Sequence, residues 1–197
     1  MHFFPLPKRI GKRRDVIVNE IFDQYEVDRN YEFALIHPAA AFATKQWAVE
    51  NFAQVVDFLF ERGIISVAVG TKNDLPVLFD LFDRSKLQIM LHDKTLPQIT
   101  ALASKARIFV GNDSGIAHIA AAVSTPSVVV FGSSNVAHWR PWTDAPNEVV
   151  TENLDCAPCA GYNCTQFGEP ECIKRVHIKS VTAAVEAVIA ESDLIVI

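Results

Sequence analysis

The sequence from Arg107 to Ala122 reads RIFVGNDSGIAHIAAA, and this stretch decides the fold. An apolar run ends at Gly111, a short polar turn follows, and an alanine-rich helical pattern begins at once. In this order of strand, turn and helix, the unpaired backbone N–H groups of the first helical turn point at whatever lies in front of the turn. Ser114 or Asp113 is expected to cap the helix. The stretch predicts an anion-binding site, and a helix cap without a ligand is the alternative.

Strand-like and helix-like segments alternate regularly around this stretch, from Phe33 to Phe131. The strand segments are continuous apolar runs, which are typical of parallel strands covered by helices on both faces. The quoted stretch supplies one strand and one helix of this alternation. We predict the other strands at 33–36, 64–69, 87–91, 127–131 and 148–151, and the other helices at 15–26, 47–62, 74–82, 95–105 and 180–192.

Polar and glycine-containing turns follow the predicted strands. Parallel sheets of this kind bind ligands at the carboxyl ends of their strands, near the point where the strand order reverses. We therefore expect one rim of the sheet to gather the turns at His37-Pro38, Gly70, Gly111-Asn112-Asp113 and Gly132-Ser133.

The composition is that of an ordinary globular protein. The chain has 197 residues, of which 50% are hydrophobic, and a net charge of −5. This length suffices for one substantial core with an appendage. The acidic balance argues against a nucleic-acid binder, which would need a basic face. No apolar run approaches the ~20 residues of a membrane span, and the first residues lack the order of a signal peptide. The expected location is the cytoplasm.

Residues 1–14 contain prolines followed by five cations. We interpret them as a solvated, partly flexible arm. The alternatives are a linker that follows another domain and a surface that approaches acidic membrane lipids. The cations are Lys8, Arg9, Lys12, Arg13 and Arg14.

The turn at Gly111 does not match the common phosphate-binding or nucleophile motifs. The Walker loop and the dinucleotide fingerprint are absent, and Ser114 lies one place too late for the hydrolase nucleophile elbow. Asp113-Ser114-Gly115 matches the aspartic-protease triplet, but the chain has one copy, whereas that mechanism needs two carboxylates.

Taken together, the motifs resemble glycosyltransferase family 9, which contains the ADP-heptose:lipopolysaccharide heptosyltransferases. The resemblance runs from about Phe33 to Ile189. It implies a Rossmann-like parallel sheet with helices on both faces, as in the carboxyl-terminal domain of a GT-B glycosyltransferase. The matching segments are, in order, His37-Pro38, Lys45-Gln46-Trp47, Gly70, the stretch 111–122, TPSVVVFGSS at 125–134, Trp139-Arg140-Pro141 and the spaced cysteines.

The resemblance also implies a function. The chain is expected to bind a nucleotide-diphosphate sugar, ADP-heptose, for transfer of the sugar to a glycolipid acceptor of the lipopolysaccharide-core type. Residues 31–197 would form the donor-binding domain, and residues 1–30 the arm and helix that cross from a missing amino-terminal acceptor domain. The catalytic base would belong to that missing domain, so no catalytic residue is identified in this chain. The transfer needs no cofactor, and the basic arm could touch the inner face of the membrane as a peripheral contact.

The resemblance assigns ligand contacts to residues in the predicted rim. Lys45 is expected to meet the donor pyrophosphate, and Asp113 to accept hydrogen bonds from sugar hydroxyls. Ser114 and Gly115 are expected to present backbone N–H groups to the phosphates. His118 either donates to a phosphate oxygen or is a capping or core histidine.

Three further contacts and one departure follow from the resemblance. Asp74 is the nearest candidate for the acidic contact to the ribose, Lys94 lies in the loop where the family packs adenine, and Ser133 lies in a second rim turn that would touch sugar or phosphate. Ala39–Ala41 occupy a loop where family members often carry glycine or hydroxyl residues, and this makes the identity of the donor uncertain.

Four cysteines follow the last predicted strand, in the loop 155–173. The intervals between them contain two, four and seven residues. Such spacing fits a tetrahedral structural zinc site, and a loop of free thiols is the alternative. A nucleic-acid-binding zinc knuckle is disfavoured because the neighbouring residues are not basic. Two other functions therefore stay open: a non-catalytic nucleotide-sugar-binding domain and a zinc-stapled interaction module. The zinc ligands would be Cys156, Cys159, Cys164 and Cys172.

Overall fold

The protein forms one parallel sheet of six strands in the order β3-β2-β1-β4-β5-β6. A computed structural model describes residues 8–159 and 162–195. The predicted class, a Rossmann-like parallel sheet covered by helices, is confirmed. The strands are β1 (Phe33–His37), β2 (Ile65–Gly70), β3 (Ile89–His92), β4 (Ile108–Asn112), β5 (Ser127–Phe131) and β6 (Asn147–Thr151).

Helices cover both faces of the sheet and enclose two apolar cores. One core lies between the sheet and helices α2, α3 and α8, and the other between the sheet and helices α1, α4 and α5. Every residue of β1, β4 and β5 is buried, as continuous apolar strands between two helical layers require. The helices are α1 (Lys8–Gln24), α2 (Val49–Phe60), α3 (Leu75–Arg84), α4 (Leu96–Lys105), α5 (Gly115–Ala122), α6 (Val136–Trp139), α7 (Glu171–Lys174) and α8 (Ile178–Ile195).

The first helix begins earlier than the sequence predicted. Its periodicity indicated a start at residue 15, but α1 begins at Lys8 and takes in the second half of the predicted arm. Residues 1–7 lie outside the described part of the chain. The helix packs against α4 and buries Val18, Ile21 and Phe22 in the core. The helix is therefore anchored in the fold at Val18, Ile21 and Phe22, and the roles predicted for residues 1–30 stay predictions.

The strand order reverses between β1 and β4, and this places the site. From β1 the chain proceeds to β2 on one side, whereas β4 leads to β5 on the other. A crevice opens at the carboxyl ends of two such strands. Gly111, at the end of β4, permits close pairing there, because a Cβ atom would lie 2.6 Å from Phe109 Cζ and 3.0 Å from the His37 carbonyl oxygen.

Among the described helices, none is both long enough and apolar enough to span a bilayer.

Candidate functional site

A groove of about 690 Å³ lies at the carboxyl ends of β1 and β4, where the predicted rim was expected. It is lined by the loop after β1, the turn after β2 and the first turns of α5. Six of the eight predicted ligand contacts lie together in it: Lys45, Asp74, Asp113, Ser114, Gly115 and His118.

The first turn of α5 opens onto this groove. Of the two predicted candidates, Ser114 and Asp113, Ser114 is the N-cap residue, and it has extended backbone angles. Its side chain, however, does not cap the helix, because the Ser114 Oγ atom lies 3.0 Å from His37 Nδ1 instead. Gly115 is exposed, and a Cβ atom there would have no neighbour within 4 Å. An anion therefore has room to approach the positive end of the helix dipole.

Lys45 reaches the same groove from the loop after β1. Its Nζ atom lies 2.7 Å from Asp113 Oδ2, and Ser134 Oγ donates to that oxygen at 2.6 Å. The Asp113 side chain is only 6% exposed, whereas that of Lys45 is 25% exposed. The pair holds the ammonium group at the rim while leaving it accessible to a ligand.

Asn112 fixes the loop that carries Lys45. This residue is completely buried. Its Oδ1 atom accepts the Trp47 backbone N–H at 3.1 Å, and its Nδ2 atom donates to the Pro38 carbonyl at 2.8 Å. Sequence reasoning assigned it no role of its own, although a polar side chain at the end of a buried strand was a usable signal.

The turn after β5 packs against the loop that carries Lys45. The Ser133 N–H donates to the Thr44 carbonyl at 3.1 Å. A Cβ atom on Gly132 would lie 2.1 Å from that carbonyl oxygen, so only glycine fits there. Ser133 lines a neighbouring pocket but not the main groove, and its predicted ligand contact stays a prediction.

Residues 14–168 match the family model described as Glycosyltransferase family 9 (heptosyltransferase). The chain belongs to glycosyltransferase family 9. This confirms the resemblance found in the sequence.

The chain is similar in sequence and in fold to individual members of family 9. The chain is 33% identical over 127 residues to Lipopolysaccharide heptosyltransferase 3 of Escherichia coli. The aligned region covers 62% of this chain and 37% of that protein. Its fold is similar to that of E. coli ADP-heptose lps heptosyltransferase II (TM-score 0.75, 17% identity), with 96% of this chain and 54% of that one covered. It is also similar to E. coli heptosyltransferase WaaC with ADP (TM-score 0.64, 17% identity), covering 79% and 44%. The chain thus spans about a third to a half of the length of these relatives.

Two of the remaining contacts implied by family 9, Asp74 and His118, line the groove, and the third, Lys94, does not. Asp74 lines it, but its Oδ2 atom already accepts hydrogen bonds from the Thr71 N–H at 2.7 Å and the Thr71 hydroxyl at 2.8 Å. His118 is exposed one turn into α5. Lys94 lies outside the groove lining, in the turn after β3. The roles of all three stay predictions.

The four cysteines all have free thiols and line one small cavity of about 100 Å³. Within residues 8–159 and 162–195, no three His, Cys, Asp or Glu side chains are arranged to hold a metal ion. The structure therefore adds no ligand geometry to the zinc prediction for Cys156, Cys159, Cys164 and Cys172, which stays a prediction.

His37 is a buried titratable group in the site. Burial lowers its pKa from 6.5 to about 4, and the nearby Asp74 carboxylate opposes this shift only in part. The imidazole is therefore neutral at pH 7, and it orients the Ser114 hydroxyl without adding a charge to the groove.

This shift makes stability depend on pH. Because the unfolded chain takes up a proton below pH 6.5 and the folded protein only near pH 4, the contribution of His37 is complete above pH 6.5 and declines as the pH falls. Between pH 7.5 and 5.0 we expect a loss of about 2 kcal/mol in the free energy of unfolding. Urea unfolding at both pH values measures it. His37→Gln should lack this component, and equal losses in both proteins would contradict the assignment.

Proposed function

We propose that the groove binds a nucleoside-diphosphate sugar, ADP-heptose, and that the chain supplies the donor half of a heptosyltransferase acting in lipopolysaccharide core assembly. The observation that carries the proposal is the convergence of Lys45 and the open first turn of α5 on one groove at the strand-order reversal. Membership of family 9 and the common fold with a neighbour solved with ADP support it.

The chemistry of the groove suits a pyrophosphate. When the bond between sugar and phosphate breaks, negative charge develops on the nucleoside diphosphate. The N–H groups of Ser114 and Gly115 and the ammonium of Lys45 would stabilise this charge where it forms, because they are positioned before the ligand arrives. A neutral His37 is suited to orientation rather than to charge stabilisation.

Asp113 is suited to the sugar. A carboxylate accepts hydrogen bonds from hydroxyl groups, and this one is fixed by Lys45 and Ser134. Because both groups engage its Oδ2 atom, Asp113 is a poor choice as the base that deprotonates an acceptor. In this proposal the base and the glycolipid site belong to an amino-terminal acceptor domain, and transfer takes place at the cytoplasmic face of the membrane. A donor-binding domain without transferase activity is the second candidate, because the proposal assigns the base to no residue of the donor half.

Lys45→Ala should weaken the binding of ADP at least tenfold, which corresponds to about 1.4 kcal/mol. The affinity falls because the Lys45 ammonium group no longer offsets the negative charge of the pyrophosphate. Titration calorimetry with ADP and ADP-heptose measures it, and Lys86→Ala, on the opposite end of the sheet, is the matched charge control.

A second variant separates two causes. Lys45→Ala alone leaves the Asp113 carboxylate without a positively charged partner, and its negative charge would itself repel a phosphate. The double variant Lys45→Ala with Asp113→Asn removes both charges and should remain at least tenfold weaker than the wild type. Wild-type affinity in the double variant would mean that Lys45 only neutralises Asp113. A folded wild-type protein that binds neither ligand would overturn the proposed function and leave an interaction module.

A further inference from the structure

The Ser114 side chain is held away from the helix that it precedes. Ser114 has backbone angles of φ −155° and ψ 168°, the extended conformation from which an N-cap serine normally bonds to its own helix. Its Oγ atom instead lies 3.0 Å from His37 Nδ1 and makes no capping bond to α5. The backbone is therefore arranged for capping, and only the direction of the hydroxyl group prevents it.

The group that this hydroxyl would otherwise bond to is the Ile116 N–H. An N-cap oxygen accepts from the second or third residue of its helix, and in α5 these are Ile116 and Ala117. The Ala117 N–H already donates to the Ser114 carbonyl at 3.2 Å. Ile116 lines the groove, and its N–H belongs to the first turn, where no helical carbonyl is in place to accept it. A self-capped Ser114 would thus occupy a group that an anion in the groove needs.

Rotation about a single bond separates the two arrangements of Ser114. A serine side chain has three staggered rotamers, so its hydroxyl can exchange one partner for another without movement of the backbone. Capping by serine is favourable wherever the hydroxyl is free to turn toward the helix. The competing partner, His37, must therefore be fixed firmly in place.

His37 is fixed in the position that this competition requires. It is the last residue of β1, it pairs with Gly111 of β4, and it is 8% exposed. A Cβ atom on Gly111 would lie 3.2 Å from His37 Cβ, so the glycine lets the two strands close around the histidine. The next residue is anchored as well, because the Pro38 carbonyl accepts the Asn112 side-chain N–H at 2.8 Å. The imidazole therefore has little freedom to move away from Ser114.

His37 does not itself attract an anion. Burial lowers the pKa of His37 from 6.5 to about 4, so the imidazole is neutral at pH 7. The groove takes its positive charge from Lys45 and from the amino-terminal end of the α5 dipole. The contribution of His37 is therefore the direction that it gives to the Ser114 hydroxyl.

We propose that His37 is a positioning residue that keeps the first turn of α5 uncapped, so that the Ile116 N–H is available to the diphosphate of the donor. This inference rests on the proposed function. Without His37, the Ser114 hydroxyl turns to the Ile116 N–H, and a ligand must first displace it. The expected loss is about fivefold in the affinity for ADP, which is the contribution of a typical N-cap hydrogen bond.

Amide hydrogen exchange in the ligand-free protein tests the cap itself. In His37→Ala the Ile116 amide should exchange about threefold more slowly than in the wild type, because it gains the Ser114 hydroxyl as an acceptor. The direction is informative, since a variant that only loosens the structure exchanges faster. Adding Ser114→Ala to His37→Ala should abolish the slowing. Leu35→Ala, which removes another buried side chain of β1, is the matched control and should not slow this amide.

Calorimetry with ADP tests the consequence for binding. His37→Ala should raise the Kd of ADP about fivefold when residue 114 is serine, and less than about twofold when it is alanine. His37→Asn, whose side chain also offers a hydrogen-bonding atom to Ser114, should retain most of the affinity. If His37→Ala does not fold, His37→Leu replaces it in both measurements, because leucine fills the space without offering a hydrogen bond.

Two results would overturn the inference. One is an Ile116 amide that exchanges in the folded variant as fast as in the wild type, or faster. The other is an equal loss of ADP affinity with serine and with alanine at residue 114, which a merely structural role of His37 would produce. Failure of the wild type to bind ADP would reject the proposed function instead, and the exchange measurement would then decide by itself whether His37 keeps α5 uncapped.

Discussion

Gly132→Ala is expected to destabilise the protein by about 3 kcal/mol or more, since overpacking against a rigid neighbour exceeds the ordinary cost of an added methyl group. The new Cβ atom would lie 2.1 Å from the Thr44 carbonyl oxygen and 3.0 Å from Ile173 Cβ. The carbonyl cannot simply withdraw, because it accepts the Ser133 N–H. Relief of the clash must therefore move the loop that carries Lys45.

Urea unfolding monitored by circular dichroism measures this change. Gly115→Ala is the matched control, because it adds the same methyl group in the same rim where no atom lies within 4 Å. In the control we expect unchanged or slightly higher stability, since alanine is the better helix former. A Gly132→Ala midpoint equal to that of the wild type would show that the turn after β5 is not packed against Thr44 as described.

Trp47→Ala is expected to cost about 3–5 kcal/mol, the range for removing a fully buried large aromatic side chain. Trp47 is completely buried and packs edge-on against Phe52 with ring centroids 5.1 Å apart. Its Nε1 atom donates to the Val176 carbonyl at 2.9 Å. The substitution leaves both a cavity and an unpaired buried carbonyl, at the point where the loop of Lys45 enters α2.

The same unfolding experiment tests this prediction, with Trp142→Ala as control. Trp142 is 83% exposed, so its removal should change the free energy of unfolding by no more than about 0.5 kcal/mol. Trp47→Phe keeps most of the packing and loses the indole N–H, and should lie between the wild type and Trp47→Ala. If Trp47→Ala and Trp142→Ala have equal effects, Trp47 does not occupy the core.

The regular elements could be predicted from the sequence because the longer helices show a helical period of apolar residues and the strands are continuous apolar runs. The strand predicted at residues 127–131 has the bounds of β5, and every residue of β5 is buried. The α6 and α7 helices were missed, because four residues are too few to show a helical period. The early start of α1 was missed because Pro7 and the following cations concealed a helix that packs on α4.

The rim of the site was predictable, but its contacts were not. Continuous apolar strands followed by polar turns indicated which loops share one edge of the sheet. The pairing of Lys45 with Asp113 joins residues 68 positions apart, and nothing local encodes it. Ser114 shows the same limit, since its position as N-cap residue is local, whereas His37, 77 positions away, determines where its hydroxyl group points.

The most direct test of the central claim is to titrate ADP into the ¹⁵N-labelled protein and follow the backbone amide resonances. The account predicts that the largest shift changes fall on Ser114, Gly115 and Ile116, because the diphosphate binds the N–H groups of the first turn of α5. The amides of Gly63 and Ile64, between α2 and β2 at the opposite edge of the sheet, serve as the reference, since neither residue lines the groove. Saturable binding with the shifts elsewhere, and with the α5 amides unmoved, would contradict the account.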